Sequence, residues 1–208
     1  MLVVVGGHSR NIGKTSVVAG LIAALPQWNW TAMKITQFGH GICARSGEDC
    51  DCCLAPEHAF AISEERQAGR SDSGRFLAAG ARKAYWLRTA VGQLGAALAD
   101  FQQVWAASQN LIVESNSIME FVRPELYLVV LDFVQRDFKA SSARYLERAD
   151  ACVVIERSQR NPAWKEVEGT PWREKPCFWV RPPRYVPADL AAFVNQQLNR
   201  CRGAVSFT

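Results

Sequence analysis

Residues 2–16 read LVVVGGHSRNIGKTS: an apolar run of strand length, a glycine-containing turn, and a Gly-Lys-Thr triplet that opens an apolar stretch ending before Pro26. This arrangement narrows the choice of fold more than any other in the chain. A strand feeding a helix through such a turn presents backbone N–H groups and the helix N-terminus to an anion, which is the device of a phosphate-binding loop. The common spacing G-x-x-x-x-G-K-[ST] needs a glycine at position 8, where His8 stands. Counted from Gly7 instead, five residues precede Gly13-Lys14-Thr15. The segment Gly7, His8, Ser9, Arg10, Asn11, Ile12, Gly13, Lys14, Thr15 and Ser16 is therefore the expected cofactor-binding loop. In it, Gly6, Gly7 and Gly13 let the backbone turn and approach the anion. Lys14 supplies charge to the terminal phosphates, and the Thr15 hydroxyl is a Mg²⁺ ligand, with Ser16 a second hydroxyl. His8 has two readings, a pocket residue or a capping group.

The rest of the chain continues the strand-helix alternation. Strands are expected at Leu2–Val5, Trp30–Ile35, Ala84–Arg88, Asn110–Val113, Leu126–Leu131, Ala151–Ile155 and Cys177–Val180. Helices are expected at Lys14–Leu25, Asp72–Ala79 (capped by Ser71 or Asp72), Val91–Ala107, Ser141–Arg148 and Ala188–Asn199. In the third helix Leu94, Leu98, Phe101 and Trp105 share one face. Such alternation predicts an α/β, three-layer fold: a mostly parallel sheet with helices on both faces, as one domain over residues 1–208. Residues 36–70 read as a long loop or insert, and 203–208 as a loose tail.

Composition excludes several classes. Of 208 residues, 49% are hydrophobic and 21% charged, which is globular and neither disordered nor membrane-like. The net charge is +4, but the 24 basic residues are dispersed among 20 acidic ones, so no nucleic-acid partner is expected. The opening run MLVVVGG lacks a basic flank and is too short for export or for a membrane span, and a cytoplasmic protein is expected. Seven cysteines without an export signal argue against a disulfide framework. Cys152 and Cys177 read as core thiols.

Three further groups bear on chemistry. Carboxylates at strand ends hold Mg²⁺ directly or through water. Glu114 in NLIVESNS and Asp132 in LYLVVLD both qualify, Glu114 first because a polar loop follows it. His40, Cys43, Cys50, Cys52, Cys53 and His58 put four thiols and two imidazoles within nineteen residues. Their spacing is irregular and forms no pair of C-x2-C knuckles. A zinc site and a reduced, redox-sensitive loop both remain open for them. Trp164 and Trp172 either line a partner surface or pack.

The longer spacing resembles the loop of dethiobiotin synthetase and of the cobyrinic acid amidation enzymes. The likeness continues at Lys34 in AMKITQFG, at Asp72 in RSDSGRFLAAGA and at Glu114. It implies that Lys34 is directed at the phosphates as a catalytic lysine beside Lys14, that Asp72 and Glu114 reach the metal, and that the loop VRPPRYVP touches the base. Asp72-Ser73, Arg75 and Ala79-Gly80-Ala81 before a strand resemble the molybdopterin-guanine dinucleotide biosynthesis protein B (MobB) family. That resemblance implies a dimeric GTP-binding adaptor in molybdenum cofactor maturation. The two likenesses cover residues 2–132, share a P-loop NTPase fold and give the cysteine-rich insert no counterpart. No Asn-Lys-x-Asp guanine signature is present, so ATP and GTP both stand. Three functions follow: a Mg²⁺-dependent nucleotide-binding NTPase or adaptor, a ligase that phosphorylates a carboxylate, and a metal-binding module built on the cysteine segment.

Overall fold

The computed structural model describes residues 1–39, 60–159, 161–164 and 171–205. Eight strands form one sheet in the order β3-β4-β2-β5-β1-β6-β7-β8. They are β1 (Leu2–Gly7), β2 (Trp30–Phe38), β3 (Phe60–Glu65), β4 (Lys83–Ala90), β5 (Asn110–Glu114), β6 (Leu126–Asp132), β7 (Ala151–Ile155) and β8 (Cys177–Val180). Every pairing is parallel except that of the edge strand β3 with β4. The helices are α1 (Lys14–Ala24), α2 (Asp72–Ala78), α3 (Leu98–Ala106), α4 (Ala140–Tyr145) and α5 (Ala188–Val205).

The period-2 alternation of the central strands sorts the core into two layers. Val3 and Val5 of β1, Ile112 of β5 and Leu128 of β6 face one way, against Val18 and Leu21 of α1, Phe76 of α2, and Val194 and Leu198 of α5. Leu2, Val4, Val113 and Val129 face the other way, against Phe101 of α3 and Tyr145 of α4. Because both faces are covered, the strands are continuous apolar runs.

Four expectations need correction. The stretch 36–70 is not all loop: β2 runs on to Phe38, and Phe60–Glu65 forms β3, with Phe60 and Ile62 packed on the core. The expected helix Val91–Ala107 is three pieces. Gly92, at φ +81°, ends β4 in a turn, and a 3-10 turn at Leu94–Ala97 precedes α3. The helix expected from Ser141 spans Ala140–Tyr145 and then tightens into a 3-10 turn. The closing helix continues to Val205, past the expected start of a loose tail. Of the two readings for Trp164 and Trp172, packing holds: both are buried around Phe133 and line no surface.

Candidate functional site

β1 delivers its glycines to the C-terminal edge of the sheet, and α1 starts there at Lys14. Gly13 is the N-cap, at φ +95°, a conformation that disfavours any side chain. No acid sits in the first turn of α1 and no side chain caps it among the described residues, so its N-terminal N–H groups are left to an anion. A Cβ on Gly13 would also lie 2.5 Å from the ring of Tyr185, which covers the loop from the segment after β8.

Gly6 and Gly7 serve close packing rather than a left-handed turn. A Cβ on Gly6 would come within 2.2 Å of Asn116 Oδ1 and 2.8 Å of the Tyr127 hydroxyl. The Asn116 amide grips Gly7 from both sides: Gly7 N–H donates to Oδ1 at 2.8 Å, and Nδ2 donates to the Gly7 carbonyl at 2.7 Å. Asn116 follows β5, so the neighbouring strand holds the entry to the loop in place.

His8 does not face the cleft. Its ring is fully buried behind the loop, stacked with Phe138 and tilted against Trp164. Nδ1 lies 2.9 Å from the Asp137 carbonyl, and Nε2 lies 3.0 Å from both the carbonyl and the N–H of Asp132. Two arrangements satisfy the ring: Nδ1–H donates to Asp137 while Nε2 accepts from the Asp132 N–H, or Nε2–H donates to the Asp132 carbonyl. Burial holds the His8 pKa below its ordinary value, against the pull of the Asp137 and Asp132 carbonyls, which favours the neutral ring. The His8 N–H is spent on Val130 O as well. Ile12 likewise turns its side chain into the core. The expected loop segment thus divides into residues that line the cleft and residues that brace it.

In front of the loop lies a cleft of about 1000 Å³. Its floor is a row set by strand register. Val5 of β1 is level with Glu114 of β5, Glu114 with Lys34 of β2, and Lys34 with Trp86 of β4. Glu114, Lys34 and Trp86 have the parity of Ile112, Ala32 and Ala84, so all three stand on the face that carries α1. The Thr15 hydroxyl donates to Glu114 Oε2 at 2.8 Å. The Lys34 ammonium is paired with Asp72 and lies 3.4 Å from Glu114 Oε1, so it bridges the two carboxylates. Burial alone would depress the Lys34 pKa, but Glu114 and Asp72 outweigh it and hold it raised. Lys14 is depressed by burial, only partly offset by Glu114, and its ammonium donates to the Ser9 carbonyl at 2.5 Å. Arg75 ties α2 to the start of α1, donating to Ser16 Oγ at 2.8 Å. Ser71, not Asp72, caps α2, accepting from Gly74 N–H. Asp72 is therefore free of capping and turned toward Lys34.

Three hard oxygen donors (the Thr15 hydroxyl and the Glu114 and Asp72 carboxylates) gather here without a soft ligand, a set that suits Mg²⁺ rather than zinc. Asp132 does not join them. It is buried and paired with Arg157 at 3.2 Å. His40, Cys43, Cys50, Cys52, Cys53 and His58 lie outside the described residues. Among the described residues no group of three or more His, Cys, Asp or Glu could hold a metal ion.

Six basic residues line the cleft, Arg10, Lys14, Lys34, Arg70, Arg75 and Lys139, against the two acids Asp72 and Glu114. The surplus favours a polyanion. Lys139 belongs to no motif. It precedes α4, its N–H donates to the His8 carbonyl at 2.8 Å, and its side chain shares the cleft with Lys14. Burial, then repulsion from Lys14 and Arg10, brings its pKa down to about 8.

No family model matches the chain, and no curated protein matches it in sequence. Among solved structures, HypB from Helicobacter pylori, determined in complex with nickel, is similar over 97% of this chain and 87% of its own, with TM-score 0.50 and 16% identity. LpxK from Aquifex aeolicus, in a form described as "apo" and in complex with ATP, is similar over 86% of this chain, with TM-score 0.46 and 15% identity. The chain spans about half of LpxK's length, 53%. The chain has the α/β P-loop NTPase fold. None of its described helices is long and apolar enough to cross a membrane.

Proposed function

We propose that this protein binds a nucleoside triphosphate with Mg²⁺ and hydrolyses it slowly, as an NTPase or adaptor similar to the MobB family. The carrying observation is the juxtaposition of Lys14, Thr15 and Glu114 at the N-terminus of α1, with Lys34 between Glu114 and Asp72. Lys14 and the loop N–H groups would hold the terminal phosphates. Thr15, Glu114 and Asp72 would hold Mg²⁺, which when bound supplies charge neutralisation at the phosphoryl group. Lys34, released from those carboxylates, would then turn to the phosphates. Slow turnover follows from the acids available. Among the described residues Asp72 and Glu114 are the acids that line the cleft, and both would be spent on Mg²⁺, which leaves neither to take a proton from water. Tyr185, beside Gly13, is a surface for the base. Both ATP and GTP fit this reading, and the MobB likeness implies a homodimer, which light scattering checks.

Titration of ATP and GTP with Mg²⁺ against wild type and Lys14→Ala tests the reading. Saturable binding weakened in the variant supports it, and equal or absent binding in both sinks it. Phosphate release without any acceptor distinguishes an NTPase from the carboxylate-activating ligase.

A second reading concerns the cysteine segment. Phe38 is level with Ala90 and Phe60 with Thr89, so the chain leaves β2 and enters β3 at the same end of the sheet as the cleft. On this reading the soft ligands of the cysteine segment hold zinc or a similar metal. Protein purified without added metal should then retain close to one equivalent, and retention below roughly 0.2 equivalents rejects it.

A further inference from the structure

We infer that the cleft holds a second, separate subsite at its outer end, over Trp86, Thr36 and Arg70, for a small anion with a flat or apolar body. The inference builds on the nucleotide reading, because it takes the loop end of the cleft as the place of the phosphates.

The sheet register separates the two ends. Adjacent strands are spaced about 4.8 Å apart, so Trp86 on β4 stands two strands, about 10 Å, from Glu114 on β5 and a further strand from β1. A phosphate held by Lys14 and the α1 N-terminus does not extend to that ring. The cleft, at about 1000 Å³, lies at the top of the roughly 300–1,000 Å³ range of ligand pockets.

The outer end is furnished for recognition. Trp86 is half-buried and held in a fixed pose. Its indole N–H donates to Thr36 Oγ1 at 3.0 Å, and the Arg88 guanidinium lies 4.7 Å from its ring centroid. The polar edge of the indole is thereby satisfied within the protein and one ring face is covered by Arg88, so what the ring offers the cleft is its remaining apolar surface. Arg70, exposed in the segment before α2, contributes a guanidinium suited to bidentate pairing with a carboxylate or phosphate. Lys34, level with Trp86, forms the boundary between this end and the phosphate end. An aromatic ring and a guanidinium around one space select an anion with a planar or apolar body, seated beside the terminal phosphate.

Phenyl phosphate and benzoate are suitable probes, titrated calorimetrically into the whole protein with and without a saturating non-hydrolysable ATP or GTP analogue and Mg²⁺. Saturation of at least one probe in the millimolar range is expected, with similar affinity in the presence and absence of the nucleotide analogue. Arg70→Ala and Trp86→Phe should each weaken the probe, Arg70→Ala by about tenfold, equivalent to about 1.4 kcal/mol. Arg70 is exposed, so its variant tests the site without risk to folding. Lys14→Ala should lose nucleotide and still bind the probe. No saturation below roughly 20 mM, displacement of the nucleotide analogue by the probe, or unchanged probe affinity in Arg70→Ala would each overturn the subsite. If the nucleotide titration fails while the probe still saturates and depends on Arg70, the nucleotide reading falls and the subsite remains.

Discussion

The two sides of the β1–α1 loop are only a few residues apart and are made of opposite materials. In front, Lys14, Thr15, Lys34, Glu114 and Asp72 form a charged network along an open cleft, its members neutralising one another. Behind, His8 sits in a buried pocket with Phe138 and Trp164, each ring nitrogen within hydrogen-bond distance of backbone. The front is poised to exchange partners when a ligand arrives. The back has no spare hydrogen-bonding capacity in the ring and sets the loop's shape. Substitutions behind the loop should therefore cost stability, and those in front should cost affinity.

The largest effect is expected at Gly6. Alanine there would force Asn116 away and break its two hydrogen bonds to Gly7, or else push Tyr127, whose hydroxyl is equally buried. Overpacking of about 1–3 kcal/mol plus two lost hydrogen bonds predicts destabilisation of about 3 kcal/mol or more. Chemical denaturation of Gly6→Ala measures it. A stability within about 0.5 kcal/mol of wild type would mean that β5 does not brace the loop.

His8→Ala is next, at about 2–4 kcal/mol, from a cavity among the aromatic rings and from an unpaired Asp132 N–H and Asp137 carbonyl. Nucleotide affinity of the folded fraction should change less than about threefold, a bound of roughly 0.7 kcal/mol. A stable His8→Ala that has lost nucleotide would invert the comparison and place the imidazole in the site after all.

Lys14→Ala is the mirror case. Loss of a charge-assisted contact predicts about 1.5–3 kcal/mol of binding, roughly 10- to 150-fold. Folding stability should hold or rise, because the ammonium is buried and its pKa is already depressed by desolvation. A large fall in thermal midpoint would show that the front also carries the fold.

How far these sides could be read from sequence depends on how local their signals are. The strand, the Gly-Lys-Thr triplet and the helix are contiguous, so Lys14 and Thr15 were legible. Glu114 closes an apolar run at a strand end of a parallel sheet, so its place was legible as well, whereas Lys34, inside β2, stood out only through the dethiobiotin synthetase likeness. The brace was not. Asn116 reaches Gly7 across 109 positions and His8 reaches Asp132 across 124, and neither leaves a periodic trace. His8 read as a misfit because a glycine count registers backbone freedom and not a pocket assembled from β6, Phe138 and Trp164. Trp86 was hidden inside a strand that is legible only as apolar. β3 lay beside the cysteine segment, where Phe60 and Ile62 carry a two-residue alternation too short to stand out.

The smallest effect, and the one that tests the front as an electrostatic device, is the pH dependence contributed by Lys139. Burial, together with repulsion from Lys14 and Arg10, lowers its pKa from 10.5 to about 8. Below about 8 it is an ammonium that attracts phosphate, and above it is a neutral amine. Triphosphate affinity should therefore fall between about pH 7.5 and pH 9, by about fivefold for a contribution of about 1 kcal/mol. The apo protein should respond with the opposite sign. Between about 8 and 10.5 the unfolded chain binds more protons at this position than the folded one, so the lysine's contribution to stability rises with pH across that window. Lys139→Met should flatten both slopes, whereas Lys139→Arg, charged throughout, should keep its affinity at about pH 9. Lys14, whose pKa is also depressed, predicts the same direction for affinity, so the variants decide. If Lys139→Met keeps the full slope in affinity, the titrating charge in front of the loop is Lys14 and not Lys139.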